Sequence, residues 1–340
     1  MGENRKIQKF SQYNGKIVTR KAMKIVILAF NFGISKGFVN GPGMSLYNFA
    51  KFISKHSPEV QLCIYTQFES FSSIPGVEVK TTRYATDLLN DIRSCKVFHY
   101  WSGLTHTFST IMKLANTYNK PVILGPNLLD TVESRKEKSL LKNIEYEKIL
   151  TANDRLKYLI SNKYVLLTDK MESFIVGPDV DLWSPPDKYG NYILWKGNSQ
   201  HMVKDIEFAR AVESKLKQYE FLFLGDGKPY DYNDHMEDAK RAYLYISTSL
   251  SETKGMTLLE QWSAGVPSIT HPKIYQHGEN YKTGIITNRD VDSYCEAILE
   301  IMDNKRLRKD LSEGAREFML NKFDPKLITE QYLRIIKDVS

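Results

Sequence analysis

Two glutamates, Glu252 and Glu260, stand on either side of a short KGMT segment in the stretch SETKGMTLLEQWSAGVPSI, Ser251 to Ile269. The segment reads as the start of a helix near Gly255 or Met256. The first N–H groups of such a helix lack partners, and together with the macrodipole they make its end an anion site facing the loop of Ser251 and Glu252. Gly255 lets backbone and phosphate approach closely, and Thr257 adds a hydroxyl. Glu260 falls on the second turn, where a carboxylate can accept from two vicinal hydroxyls next to that phosphate. Glu252, in the loop, faces whatever is attached beyond the phosphates. A phosphate flanked by two hydroxyl-binding carboxylates describes a nucleotide sugar: ribose, diphosphate, hexose. The same spacing also suits a solvated loop glutamate and a surface helix glutamate, and spacing by itself does not choose.

Positioning these groups requires an α/β scaffold, and the sequence alternates accordingly. MKIVILAFNF from Met23 reads as a strand, GISKGFVNGPGMS as a Gly-rich loop and LYNFAKFISKH as an amphipathic helix. VQLCIYT, TDLLNDIRSC, KVFHYWSG, FSTIMKLANTYN and PVILGPNLL continue as strand, helix, strand, helix and strand. A charged helical segment is expected from Thr131 to about Tyr158. The Pro-rich piece from Pro178 to Pro186 marks a boundary, after which NYILWKGN, KDIEFARAVESKL, YEFLFLGDG, NDHMEDAKRA, YLYISTSLSETK, MTLLEQWSAG and VPSITH restart the alternation. The residues beyond Val291 read as helical. Near-continuous apolar strands separated by helices mean parallel sheets covered on both faces. The expected fold is therefore two doubly wound, Rossmann-like α/β domains facing a central cleft, with ligands beyond the carboxyl ends of the strands. Residues 1–22 form a basic leader, 23–177 an N-terminal domain, 178–186 a linker, 187–320 a C-terminal domain and 321–340 a last helix.

Composition narrows the function classes. The 340 residues exceed one typical core, 42% are hydrophobic and 26% charged, and no apolar run approaches the roughly 20 residues that cross a bilayer. With no secretory signal in MGENRKIQKFSQYNGK, a cytoplasmic protein is expected, with peripheral membrane contact through the short basic-amphipathic FAKFISKH left open. Cys63, Cys95 and Cys295 have neither disulfide nor zinc spacing, the histidines have no metal-ligand spacing, and no nucleophilic triad or Walker loop occurs. The net charge of +7 is compatible with nucleotide phosphates, acidic lipid or nucleic acid, although aromatic and basic residues form no nucleic-acid-binding stripe.

The run S-x-x-E-x-x-G-x-x-x-L-x-E, followed by SAGVP, resembles the E-x7-E signature of retaining glycosyltransferases of the GT-B fold, family 4. FIVGPDVDLWSPP is similar to the interdomain segment of that family, ILWKGN with a following lysine to its donor-phosphate segment, and YEFLFLGDG to a strand end. NGPGMSLYNFAKFI resembles its Gly-rich loop and first helix, while VFHYWSG and KTGIIT resemble further strand regions. The resemblance covers nearly the whole chain from Met23, and its most specific parts are the two-glutamate run and the interdomain segment.

That resemblance implies a hexosyltransferase that moves a sugar from a nucleoside diphosphate, such as a UDP- or GDP-sugar, to an acceptor hydroxyl. Anomeric configuration would be retained, with no metal and no cofactor, the departing phosphate serving as base. Glu252 would contact the donor sugar, Glu260 the ribose, and Lys204 the diphosphate as it leaves, a preorganised charge of the kind that usually contributes most. Backbone groups of Gly255, Met256 and Thr257 would hold sugar and phosphate, with Gly41 and Gly43 approaching from across the cleft. His99, beside Trp101, would lie on the acceptor side or in the core, and His277 near the acceptor or base. The C-terminal helices would pack back on the N-terminal domain. Glycan, lipid-linked and small-molecule acceptors all stay open, with a nucleic-acid acceptor less favoured.

Three positions depart from the family pattern. Asn198 stands where an arginine is usual, leaving Lys196 or Lys204 to supply charge without a bidentate fork. Asn127 stands at a histidine near the sugar, on the acceptor side. ETKG replaces the usual EGFG and puts Lys254 beside the hexose pocket. Two other readings remain: a nucleotide-sugar epimerase of the same architecture, which would want acid and base groups on both faces of the sugar, and a non-catalytic sugar-nucleotide or glycan-binding relative.

Overall fold

The computed structural model describes residues 23–35, 38–39, 41–70, 72–83, 85–101, 106–127, 145–163, 165–227, 232–252, 254–274 and 278–340. The basic leader and His277 therefore lie outside the described residues.

β1 (Met23–Ala29) is a run of aliphatic residues because both of its faces are covered. Val26 and Leu28 point into one core, with Phe98, Tyr100 and Met112, while Ile25 and Ile27 point into another, with Phe49, Ile53 and Tyr332. After β1 come the two short antiparallel strands β2 (Ile34–Ser35) and β3 (Phe38–Val39). Next are helix α1 (Gly41–His56), β4 (Val60–Thr66), β5 (Val77–Thr81), α2 (Ala85–Ser94), β6 (Val97–Tyr100), α3 (His106–Thr117) and β7 (Val122–Leu124). β8 (Lys148–Thr151), α4 (Asp154–Lys163) and β9 (Met171–Ser173) complete a seven-stranded parallel sheet in the order β5-β4-β1-β6-β7-β8-β9. β1 is central, with Ile25 opposite Leu62 on one side and Val97 on the other.

Two elements correct the expectation from sequence. Lys148 to Thr151 form a strand, not part of a helix, because Ile149 and Leu150 are fully buried between β7 and β9. β5 went unread because it is an edge strand with no buried residue, so its pattern lacks an apolar run.

Residues 174–191 carry the chain to a second sheet. It contains β10 (Tyr192–Lys196), β11 (Glu220–Leu224), β12 (Leu244–Ile246), β13 (Ser268–Thr270) and β14 (Gly284–Ile286), all parallel, in the order β11-β10-β12-β13-β14. Leu194 faces α7 (Met256–Ser263) and α9 (Lys305–Lys322), whereas Ile193 and Trp195 face α5 (Ile206–Lys215) and α8 (Val291–Asp303). A short helix, α6 (Tyr232–Lys240), follows β11. Asp205 starts α5 by accepting from the Phe208 N–H, and Asp290 starts α8 by accepting from that of Ser293.

The last helix, α10 (Pro325–Val339), returns to the first sheet. Ile328, Tyr332, Ile335 and Ile336 enter the core beside α1, with the Tyr332 ring edge-on to Phe49 at 4.6 Å between centroids. This crossing covers the apolar face of α1, so Phe49, Phe52 and Ile53 are buried while Lys55 and His56 stay exposed. Among the described residues no helix is long and apolar enough to span a bilayer.

Candidate functional site

The site forms where the carboxyl ends of the second sheet meet the start of α1. Gly255 precedes α7 in the left-handed region (φ 65°), which lets the loop of Ser251 and Glu252 turn sharply into the helix. Leu258, Leu259 and Trp262 anchor α7 in the core. That seating also carries Glu260 inward, where it is 6% exposed.

A carboxylate this deep needs a counter-charge. Lys196, the last residue of β10, donates from Nζ to Glu260 Oε2 at 2.8 Å and lies 4.7 Å from the centre of the Trp183 ring. A second pair lies on the other side of the α7 start. Lys204, at the end of a 3₁₀ turn, donates to Glu252 Oε1, which also accepts from Ser249 Oγ at 2.7 Å. The two loops are tied together. The Leu250 N–H donates to the Val203 carbonyl at 2.8 Å, and Thr248 Oγ1 donates to the carbonyls of Lys204 and Asp205 at 2.9 Å each. His271, at the end of β13, bonds through Nε2 to the Ser249 carbonyl at 2.8 Å; burial lowers its pKa, only partly countered by that bond, so the ring is neutral near pH 7.

α1 meets this assembly from the first sheet. A Cβ added to Gly41 would lie 3.5 Å from Met256 Cγ, and Lys254 Nζ donates to Ser45 Oγ at 2.7 Å. The first turns of α1 and α7 are thus in contact.

The structure brings together Glu252, Lys204, Glu260, Gly255, Met256, Thr257, Gly41 and Gly43 of the sequence-derived set. Gly43 falls inside the first turn of α1 instead of in a loop. Asn198 is exposed and uses Oδ1 to accept from the Gln200 N–H of its own turn at 3.0 Å. His99 stands apart. It is wholly buried, with Nδ1 bonded to the Tyr332 hydroxyl at 2.9 Å and Nε2 to the Gly125 carbonyl at 2.8 Å. Both ring nitrogens are used, and burial depresses its pKa to about 3, partly offset by the Gly125 bond, so the acceptor-side expectation for His99 gives way to a packing role. Asn127 follows β7, and its Nδ2 is buried with no partner, as is Trp101 Nε1. The Trp101 carbonyl accepts from the Asn127 N–H at 3.4 Å, so two unsatisfied donors sit at adjacent strand ends.

Ser45, Ser249, His271 and Trp183 were not read as site residues. Lys196 carried a signal: a lysine ending the apolar run YILWK must find a carboxylate indoors. The first sheet holds the group with metal-ligand spacing found among the described residues, Cys63, Glu78 and Asp91. Asp91 there already accepts from Lys24 through Oδ1 and from Lys80, Tyr65 and Cys63 through Oδ2, so two ammoniums already balance the carboxylate a cation would need.

A family model described as Glycosyl transferases group 1 matches residues 207–318. The chain is 29% identical over 102 residues (28% of this chain and 26% of the relative) to N-acetyl-alpha-D-glucosaminyl L-malate synthase of Bacillus anthracis. It is 26% identical over 161 residues (38% of this chain and 31% of the relative) to sulfoquinovosyl transferase of Arabidopsis thaliana. The matches thus span about a quarter to a third of the length of these curated relatives. Among solved structures, Anabaena HepE in complex with UDP and glucose superposes with a TM-score of 0.67 at 12% identity, covering 93% of this chain and all of that one. The fold is GT-B, and the matches support sugar transfer as the kind of chemistry.

Proposed function

We propose that the chain is a retaining, metal-independent glycosyltransferase that moves a sugar from a nucleoside diphosphate to an acceptor hydroxyl. The observation that carries this reading is the pair of lysine–glutamate contacts bracketing the start of α7 where it touches α1.

Lys196 holds one oxygen of Glu260, which leaves Oε1 to accept from the ribose hydroxyls. The free N–H groups of the α7 first turn face the diphosphate. Glu252, placed beyond that turn, accepts from donor-sugar hydroxyls. Its ties to Lys204 and Ser249 make it a poor nucleophile, which favours a mechanism without a covalent sugar–enzyme intermediate. As the bond between C1 and the phosphate oxygen breaks, Lys204 stabilises the growing charge on the diphosphate. The acceptor oxygen bonds to C1 on the same face, and its proton passes to the departing phosphate oxygen, which gives retention. The positive groups already present do the work a divalent ion would do.

In this reading residues 187–320 carry the donor and residues 23–177 the acceptor. HepE, solved with UDP, makes uridine donors the first to try. The acceptor is a glycan, a lipid-linked sugar or a small molecule.

The test is a thermal-shift panel of UDP, GDP, ADP, dTDP and their sugars on the wild type and on Glu260→Ala. A ligand at about a hundred times its dissociation constant adds roughly 2.7 kcal/mol of stability. One selective nucleotide whose shift vanishes in the variant supports the donor site, whereas no shift with any nucleotide rejects it. Product NMR with and without EDTA then checks retention and metal independence.

A further inference from the structure

The cleft contains a third lysine, and its surroundings differ from those of the other two. Lys196 is paired with Glu260 and Lys204 with Glu252. Lys254 is 7% exposed, and its Nζ has one acceptor, the Ser45 hydroxyl, with no carboxylate in ion-pair range among the described residues. One hydroxyl cannot satisfy three N–H donors or balance a buried charge. Burial alone brings the ammonium down to about 7, so the position is poised between charged and neutral at ordinary pH.

Its place in the fold limits what could complete it. Lys254 lies one residue before the Gly255 cap of α7, and Ser45 lies in the first turns of α1. The ammonium therefore sits between the starts of α1 and α7, near the positive ends of two helix dipoles. Asn198, meanwhile, is exposed and committed to its own turn, so it brings no cation to this place.

Resting on the donor site proposed above, we infer that Lys254 contacts the diphosphate of the donor and supplies the positive charge that Asn198 does not. An ammonium held between α1 and α7 would then gain its counter-charge only when the diphosphate bridges the two helix starts. No covalent step is added. Lys254 steadies the same leaving group as Lys204, from the side of α1.

The experiment is calorimetric titration of UDP and UMP, or the corresponding pair for whichever base shifts the melting temperature, on the full chain at pH 7 and fixed ionic strength. Loss of a charged hydrogen bond to the diphosphate should weaken diphosphate binding by roughly ten- to a hundred-fold in Lys254→Met. Monophosphate binding should change much less, and Lys254→Arg should recover part of the preference. Met fills the site without a charge, so the variant is expected to fold, with circular dichroism as the check. Ser45→Ala, which keeps the ammonium, should keep the diphosphate preference. An equal effect on both nucleotides, or none on either, overturns the inference while leaving the donor site standing. A loss confined to UDP-glucuronate, with UDP and UDP-glucose unaffected, also overturns it and assigns the ammonium to an acidic sugar. If the wild type binds no nucleotide, the donor site fails and the inference falls with it.

Discussion

Two clusters of lysines and carboxylates, one in each half of the molecule, show how charge satisfaction separates support from chemistry. In the first half, Asp91 accepts from Lys24 at 2.5 Å, Tyr65 at 2.6 Å, Lys80 at 3.1 Å and the Cys63 thiol at 3.2 Å. It is a knot with more donors than the carboxylate needs, tying β1, β4 and β5 to α2. In the second half, Lys196 holds one oxygen of Glu260, and Lys254 has a hydroxyl for its acceptor. The first cluster is satisfied within the protein, whereas Lys254 in the second has no carboxylate in ion-pair range among the described residues.

The sharpest break of this comparison is Asp91→Ala. Removing one partner from a largely buried ion cluster leaves Lys24 and Lys80 uncompensated, at a cost of about 3–5 kcal/mol. Chemical denaturation should show that loss, while nucleotide affinity of the folded fraction stays as in the wild type; a parallel loss of affinity would erase the distinction between the clusters. Next is Lys204→Met, for which turnover should fall roughly a hundred-fold or more if the lysine meets charge that develops in the transition state. Steady-state kinetics in which KM rises at unchanged kcat would make Lys204 a ground-state contact instead.

A smaller effect appears in acid. Burial raises the Asp91 pKa, but the bonds from Lys24, Tyr65, Cys63 and Lys80 outweigh it and hold the group well below its ordinary 3.8. A depressed folded pKa means stability that is fully present above the unfolded value and lost as pH falls below about 4. The wild type should therefore lose stability steeply below that pH, and Asp91→Asn should flatten the slope; equal slopes would show that another carboxylate governs acid unfolding. The smallest change is Tyr332→Phe, which strips the partner from His99 Nδ1 and should cost roughly 1 kcal/mol in denaturant midpoint with turnover unchanged. A collapse in turnover would return His99 to the chemistry.

Much of the scaffold is legible in the sequence because central parallel strands announce themselves. MKIVILA and YILWK are apolar for reasons that do not depend on distant residues. β5 and β8 escaped because one is a half-exposed edge and the other is four residues beside a charged stretch. The helix start between Glu252 and Glu260 could be read from the sequence, since that geometry is local. Their partners could not: Lys196 lies 64 residues from Glu260, Lys204 48 from Glu252, and Ser45 209 from Lys254. His99 shows the converse, a histidine at a strand end that suits either chemistry or the core until α10 arrives from far along the chain to bond it.

The return of α10 also bears on how the molecule is made. Synthesis runs from the first sheet towards α10, yet Phe49, Phe174 and His99 pack against Tyr332, so the first half emerges with one wall of its core missing. On the ribosome that wall is open apolar surface, exposed for as long as the second sheet takes to appear, and domains that must wait in this way are where chaperones engage and misassembly begins. The helix that closes the fold thus sets the moment at which the nascent chain stops being sticky.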